Sequence, residues 1–194
     1  FSAFYTPLAL TSLLNLALQP IGSAAISRMP NPLDSLAAWP VLTGLVFMLR
    51  SAGIAYNEVV VARLDEPGSS HNLRRFTWLL AATVTGLHVA LAATPLAHGW
   101  FGGVSALSPR LLALALPGFW LALPLPLLSV LQSWYQGAIL HGRQTRGIPE
   151  AVFIALAIVV VVLAAGVAWG QAEGLYVGMV GMVVATLVQT AWLW

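Results

Sequence analysis

Long apolar runs separated by short polar interruptions dominate the chain. A helix that crosses a bilayer needs about 20 mostly apolar residues. Six segments meet that requirement: Phe4–Ile26, Leu36–Val61, Phe76–Ala97, Leu111–Leu140, Ile148–Trp169 and Leu175–Trp194. The interruptions, Ser27–Ser35, Ala62–Arg75, His98–Arg110, His141–Gly147 and Gly170–Gly174, are too short to hold a domain outside the membrane. Strands of a membrane barrel would show roughly ten-residue segments of alternating polarity, whereas Ala151–Val167 is continuously apolar. The expected fold class is all-α: a polytopic membrane protein forming a single six-helix bundle over residues 1–194.

Composition narrows the function classes. Of 194 residues, 59% are hydrophobic and 7% charged, where a soluble domain carries roughly a quarter charged residues. That balance argues against a water-soluble enzyme or binding module. All eight basic residues are Arg, and against six acids they leave a dispersed net charge of +2, too weak a field for nucleic acid. With no Cys, disulfides, thiolate chemistry and Cys-based metal sites are excluded. The chain opens Phe1-Ser2-Ala3 without an initiating Met and stops at Trp194 inside an apolar run, so a piece of a longer protein is expected. The first apolar segment is too long for a signal peptide and lacks a basic leader.

Short cytoplasmic loops collect positive charge. Arg63, Arg74 and Arg75 in the second interruption and Arg143 and Arg146 in the fourth outweigh Arg28 and Arg110 in the odd-numbered ones. Both termini are therefore expected on the cytoplasmic side of the plasma (inner) membrane. His98–Val104, with Trp100 and Phe101, reads as an amphipathic loop at the outer interface, where Trp is well accommodated.

A few residues are costly in such a setting. Arg50 falls near the centre of the second segment, where an ionised side chain costs several kcal/mol unless it faces protein or water. It is either an anion-binding or gating residue in a central cavity, or the partner of another helix. Asn57, seven positions on, shares its face, and Glu58 lies nearer the cytoplasmic end, as a proton-coupling carboxylate or an interfacial partner of Arg63 or Arg74. On the first segment Asn15 and Gln19, four apart, stack on one face as solute contacts or helix–helix bonds. Pro20 follows at once and removes a backbone hydrogen bond. Pro117, Pro124 and Pro126 predict a kink or break in the outer half of the fourth segment, with Gln132, Tyr135 and Gln136 making its inner half polar. His88 is a proton-relay candidate or a neutral His bonded to a neighbour. Gly174, Gly178, Gly181 and Ala185 form a small-residue face for close helix packing.

Six spans in this length also suit a rhomboid-type intramembrane protease, and Ser105 follows Gly103-Val104. That chemistry needs a His in reach of the Ser. The rhomboid family supplies it from the last span, which here holds no His, and His71, His88, His98 and His141 lack metal-ligand spacing. No enzyme is expected.

Several runs carry a family resemblance: Phe4-Tyr5-Thr6-Pro7-Leu8-Ala9-Leu10-Thr11, Leu36-Ala37-Ala38-Trp39-Pro40-Val41, and Gln136-Gly137-Ala138-Ile139-Leu140 before the basic turn Arg143–Arg146. Together with the span number and loop lengths, they resemble one six-helix lobe of the multidrug/oligosaccharidyl-lipid/polysaccharide flippase superfamily (MATE-like). The Pro-Leu-Ala-Leu and Ala-Trp-Pro-Val starts are most similar to the C-terminal lobe of progressive ankylosis (ANK) family transporters. The resemblance implies half of an alternating-access transporter, with a second six-helix lobe completing the cavity and a small anionic solute as cargo. Asn15, Gln19, Arg50 and Asn57 would then line the cavity, Glu58 and His88 would serve Na+ or H+ coupling, and Pro20, Pro124 and Pro126 would be bending points. No further cofactor is implied. Other branches extrude organic cations or flip lipid-linked saccharides, and a non-transporting membrane scaffold is the alternative of another class.

Overall fold

A computed structural model describes residues 20–64, 69–142 and 147–194. Among these the chain is helical throughout, without strands. Residues 20–26 are helical (α1). They are followed by α2 (Pro32–Arg63), α3 (Ser69–Ala93), a short α4 (Leu96–His98), a π-helical turn (Gly99–Val104), α5 (Pro109–Leu121), α6 (Pro124–His141), α7 (Gly147–Trp169) and α8 (Gly174–Leu193).

Local chemistry sets these boundaries. α2 and α5 both begin with Pro in the first turn, where a missing N–H costs nothing because no intrahelical acceptor exists there. Before α2, Asn31 adopts a left-handed conformation (φ 47°), which Asn tolerates better than most residues. Ser108 caps α5 by accepting from the Leu111 N–H at 3.5 Å.

Four of the described helices, α2, α3, α7 and α8, are long and apolar enough to cross a membrane. The pair α5 and α6 makes a fifth, broken span with a 42° bend. The expected first span falls outside the described residues except for 20–26, so four to five of the six expected spans have a counterpart among the described residues. The break comes at Pro124 and Pro126, while Pro117 is accommodated inside α5. Trp120 O, which would have accepted from residue 124, instead takes the Leu123 N–H at 3.2 Å; Ala122 O, left without residue 126, takes the Leu125 N–H at 2.9 Å. Pro124 and Pro126 thus sit in the first turn of α6, where their lost donors are harmless.

Other expectations shift. α3 starts a turn or more before Phe76, drawing His71, Arg74 and Arg75 into the helix. The third interruption is α4 plus the π-helical turn and not an irregular loop. Phe101 is fully buried, while the apolar Leu96 and Val104 face outward.

Two hydrophobic clusters hold the bundle. Near the N-terminal end of α2, Leu42, Leu45, Phe101, Phe119, Leu125, Leu175 and Met179 pack together. Toward its C-terminal end, Tyr56, Val60, Leu73, Val84 and Val130 join α2, α3 and α6. Outside the core, Phe47, Leu79, Phe153 and Val161 are all more than half exposed. A contiguous apolar surface on this scale is costly in water and suits hydrocarbon. The helices are compatible with a membrane-embedded protein.

The small-residue face of α8 does pack closely. A Cβ at Gly174 would meet Ile26 Cγ2 at 2.9 Å, and one at Gly178 would meet the Trp39 ring at 2.7 Å. At Gly181 the neighbour, Val162 of α7, stands at an ordinary 3.5 Å.

Candidate functional site

α2 and α6 meet along a close seam built from Gly53, Asn57, Val60, Ser129, Val130, Ser133 and Gly137. A Cβ added at Gly53 would fall 3.0 Å from Val130 Cγ2, and one at Gly137 would fall 2.6 Å from Val60 Cγ1. Asn57 Nδ2 donates to Ser133 O at 3.3 Å. Residue numbers rise together along both helices, so α2 and α6 run parallel.

Arg50 sits near the middle of α2, a 32-residue helix. Its Nε is buried without a hydrogen-bond partner, and among the described residues no carboxylate pairs with its guanidinium. Its position is about 60° around α2 from Gly53, on the side opposite Tyr56. Tyr56 faces α3, its hydroxyl donating to Leu73 O at 3.0 Å and lying 2.9 Å from Thr77 Oγ1. Arg50 thus occupies the edge of the seam away from α3. Such a cation in a low-dielectric setting attracts an oxyanion far more strongly than it would in water.

The remaining sequence-derived residues separate. Asn57 shares the face of Arg50, and its amide is engaged across the seam with Ser133. Glu58 is exposed and, about 80° from Arg50, does not join it. His88 is fully buried. Its Nε2 lies 3.0 Å from Phe119 O and its ring stacks on that of Phe119 with centroids 4.1 Å apart. Since a carbonyl only accepts, Nε2 carries the proton. Phe119 O is one of the terminal carbonyls of α5, which lack a helical donor, so His88 completes the end of that helix, its Nδ1 remaining without a partner. Pro124 and Pro126 are at the α5–α6 break, and Pro20 is the first described residue of α1. Asn15 and Gln19 lie outside the described residues.

Two features escape the linear pattern. Gln132 of α6, noted from sequence only as part of a polar half-helix, is 9% exposed, and its Nε2 has no partner. At the N-terminal end of α2, Arg110 NH2 meets Asp34 Oδ2 at 2.6 Å and reaches Asn31 Oδ1 at 3.4 Å. Asn31 Nδ2 in turn donates to Glu173 Oε1 at 2.8 Å. These residues line a polar cleft of about 370 Å³ with Tyr176, clasping the starts of α2, α5 and α8. The signal in the sequence is the rarity of charge: the odd-numbered interruptions each contribute one or more polar residues to this clasp. A separate, wholly apolar groove of about 640 Å³ runs between α2, α3 and the π-helical turn, past Met48, Leu87 and Trp100.

No family model, curated protein or solved structure matches this chain.

Proposed function

We propose that this chain is a transport lobe that moves small organic or phosphate-type anions across the plasma membrane by alternating access. The observation that carries this reading is Arg50: a cation halfway along a membrane-crossing helix, its Nε buried and unpartnered. An unpaired buried charge is expensive, so its retention is best explained by a solute that supplies the missing acceptor. The bend at Pro124 and the parallel α2–α6 pair suit a rigid unit that rocks against a second six-helix lobe, with Na+ or H+ as candidate coupling ions. The Trp39-Pro40 pair, which lies inside α2, and the Gln136–Leu140 run of α6 carry the likeness to MATE-like and ANK-type lobes. In this orientation the Arg63 end of the bundle is cytoplasmic and the Asp34–Arg110 clasp faces outward.

A cation-coupled multidrug extruder would want a carboxylate deep in the membrane, and Glu58 lies near the Arg63 end of α2, which favours the anion reading. A lipid-linked saccharide flippase lobe and a non-transporting scaffold are the other readings the test separates. The engagement of Asn57 with Ser133, a packing role, is what favours the scaffold.

The test is flux of pyrophosphate, citrate and a cationic dye in proteoliposomes carrying the natural full-length product. Anion flux that collapses on Arg50→Ala, with the helical content retained, is the expected result. Anion flux indifferent to that change reduces Arg50 to a structural residue, dye flux alone points to an extruder, and no flux points to a flippase or scaffold.

A further inference from the structure

Gln132 is the second buried donor without an acceptor on the α2–α6 seam. On α6 it lies about 60° around from Ser129, on the side opposite Val130, and Val130 belongs to the cluster shared with α3. Arg50 bears the same relation to Gly53 and Tyr56 on α2. Because a Cβ at Gly53 would meet Ser129 and Val130, the two helices are in register there. Arg50 and Gln132 therefore flank one edge of the seam, Arg50 about one turn toward the Asp34 end and Gln132 about one turn toward the Arg63 end. Their backbones differ in height by roughly 9 Å, and because side chains on parallel helices tilt alike toward the N-terminus, the two donors stand apart along the seam. α8 packs along this edge, with Thr186 and Thr190 buried and their hydroxyls donating to Met182 O and Thr186 O. Each hydroxyl oxygen keeps a lone pair but offers no donor. Among the described residues, the buried donors on this edge with no protein acceptor are then a guanidinium N–H and an amide N–H.

Burying an unmet donor carries a full desolvation penalty, and this one edge holds two of them. We propose that Gln132 is a solute-contacting residue, its Nε2 donating to an oxygen of the anion held at Arg50. This rests on the anion reading above and deepens it. The separation of the two donors selects an anion with acceptor oxygens at two centres over one with a single centre. Charge neutralisation falls to Arg50, and Gln132 reads length.

The test is equilibrium binding to the purified full-length product in nanodiscs, with citrate as the two-centred probe and inorganic phosphate as the single-centred one. Gln132→Met, close in volume and lacking the donor, is expected to weaken citrate about tenfold or more, the range for a hydrogen bond to a charged group. Phosphate should weaken less than about threefold. Gln132→Glu, which sets a carboxylate against the anion, should weaken citrate further than Gln132→Met does. A structural role would lower the melting temperature of both variants without changing the citrate-to-phosphate ratio, and that outcome overturns the proposal. Citrate binding lost with Arg50→Ala but unchanged in both Gln132 variants also overturns it and leaves the Arg50 reading standing. Absence of binding to the wild type overturns both.

Discussion

Gly178 of α8 lies flat against the indole of Trp39 in α2, so close that a Cβ at 178 would come within 2.7 Å of Cζ3 and 3.0 Å of Cη2. The contact fixes how α8 seats on the seam edge that carries Arg50, because the rigid indole has no room to swing aside.

Gly178→Ala should therefore destabilise the bundle by about 1–3 kcal/mol, the usual cost of overpacking. Gly86→Ala is the control: it is exposed, has nothing within 4 Å, and should be neutral or slightly stabilising through helix propensity, by up to about 1 kcal/mol. Unfolding of the two variants in detergent micelles, compared with wild type, checks both.

His88→Ala is expected to cost about 2–5 kcal/mol. It opens a cavity beneath Phe119 and deprives Phe119 O of its donor. His88→Gln, which can present an N–H to the same carbonyl, should recover part of the loss. If transport is established, a His88→Gln variant that transports with an unchanged pH profile would assign His88 to helix termination and remove it from ion coupling.

The Asp34–Arg110 pair should be nearly silent alone. Arg110 is 72% exposed and Asp34 27%, so solvent screens the pair and a double-mutant cycle should return a coupling under about 1 kcal/mol. Asn31 is the better lever, since it bridges Arg110 and Glu173. Asn31→Gly keeps the left-handed backbone available while releasing both neighbours. Protease accessibility at the 105–108 and 170–173 turns should rise in Asn31→Gly and remain at the wild-type level in Arg110→Ala.

Pro124→Ala should leave the α5–α6 bend in place and change stability by less than about 1 kcal/mol. The residue stands in the first turn of α6, where an added N–H competes only with the Leu123 bond to Trp120 O. Distances between spin labels on α5 and α6 would measure the bend directly, and a straightened pair would show that the proline itself holds it.

How much of this was legible without coordinates depends on what each feature requires. Apolar run length alone locates α2, α7 and α8 to within about a turn and α3 to within about two turns, because a helix must satisfy its own backbone in hydrocarbon. The α5–α6 break follows from Pro124 and Pro126, whose missing donors are local facts, and the close packing of Gly174 and Gly178 follows from residue size. Arg50 stands out because a buried guanidinium is rare at that depth.

The rest depends on which faces meet. In a soluble helix a polar stripe marks the solvent side and so reveals the buried one. Around α2 and α8 the outward residues, such as Phe47, Met48 and Leu187, are as apolar as the core residues Leu42, Val46 and Met179, so the period of 3.6 carries almost no phase. The sequence by itself therefore determined the long elements and the presence of a charge midway along α2. Only the tertiary structure decided that Asn57 is spent on Ser133, that Glu58 faces away from Arg50, that His88 terminates α5, and that Gln132 shares an edge with Arg50. Lipid and protein interior reward the same side chains, and only the pairing of helices in space distinguishes them.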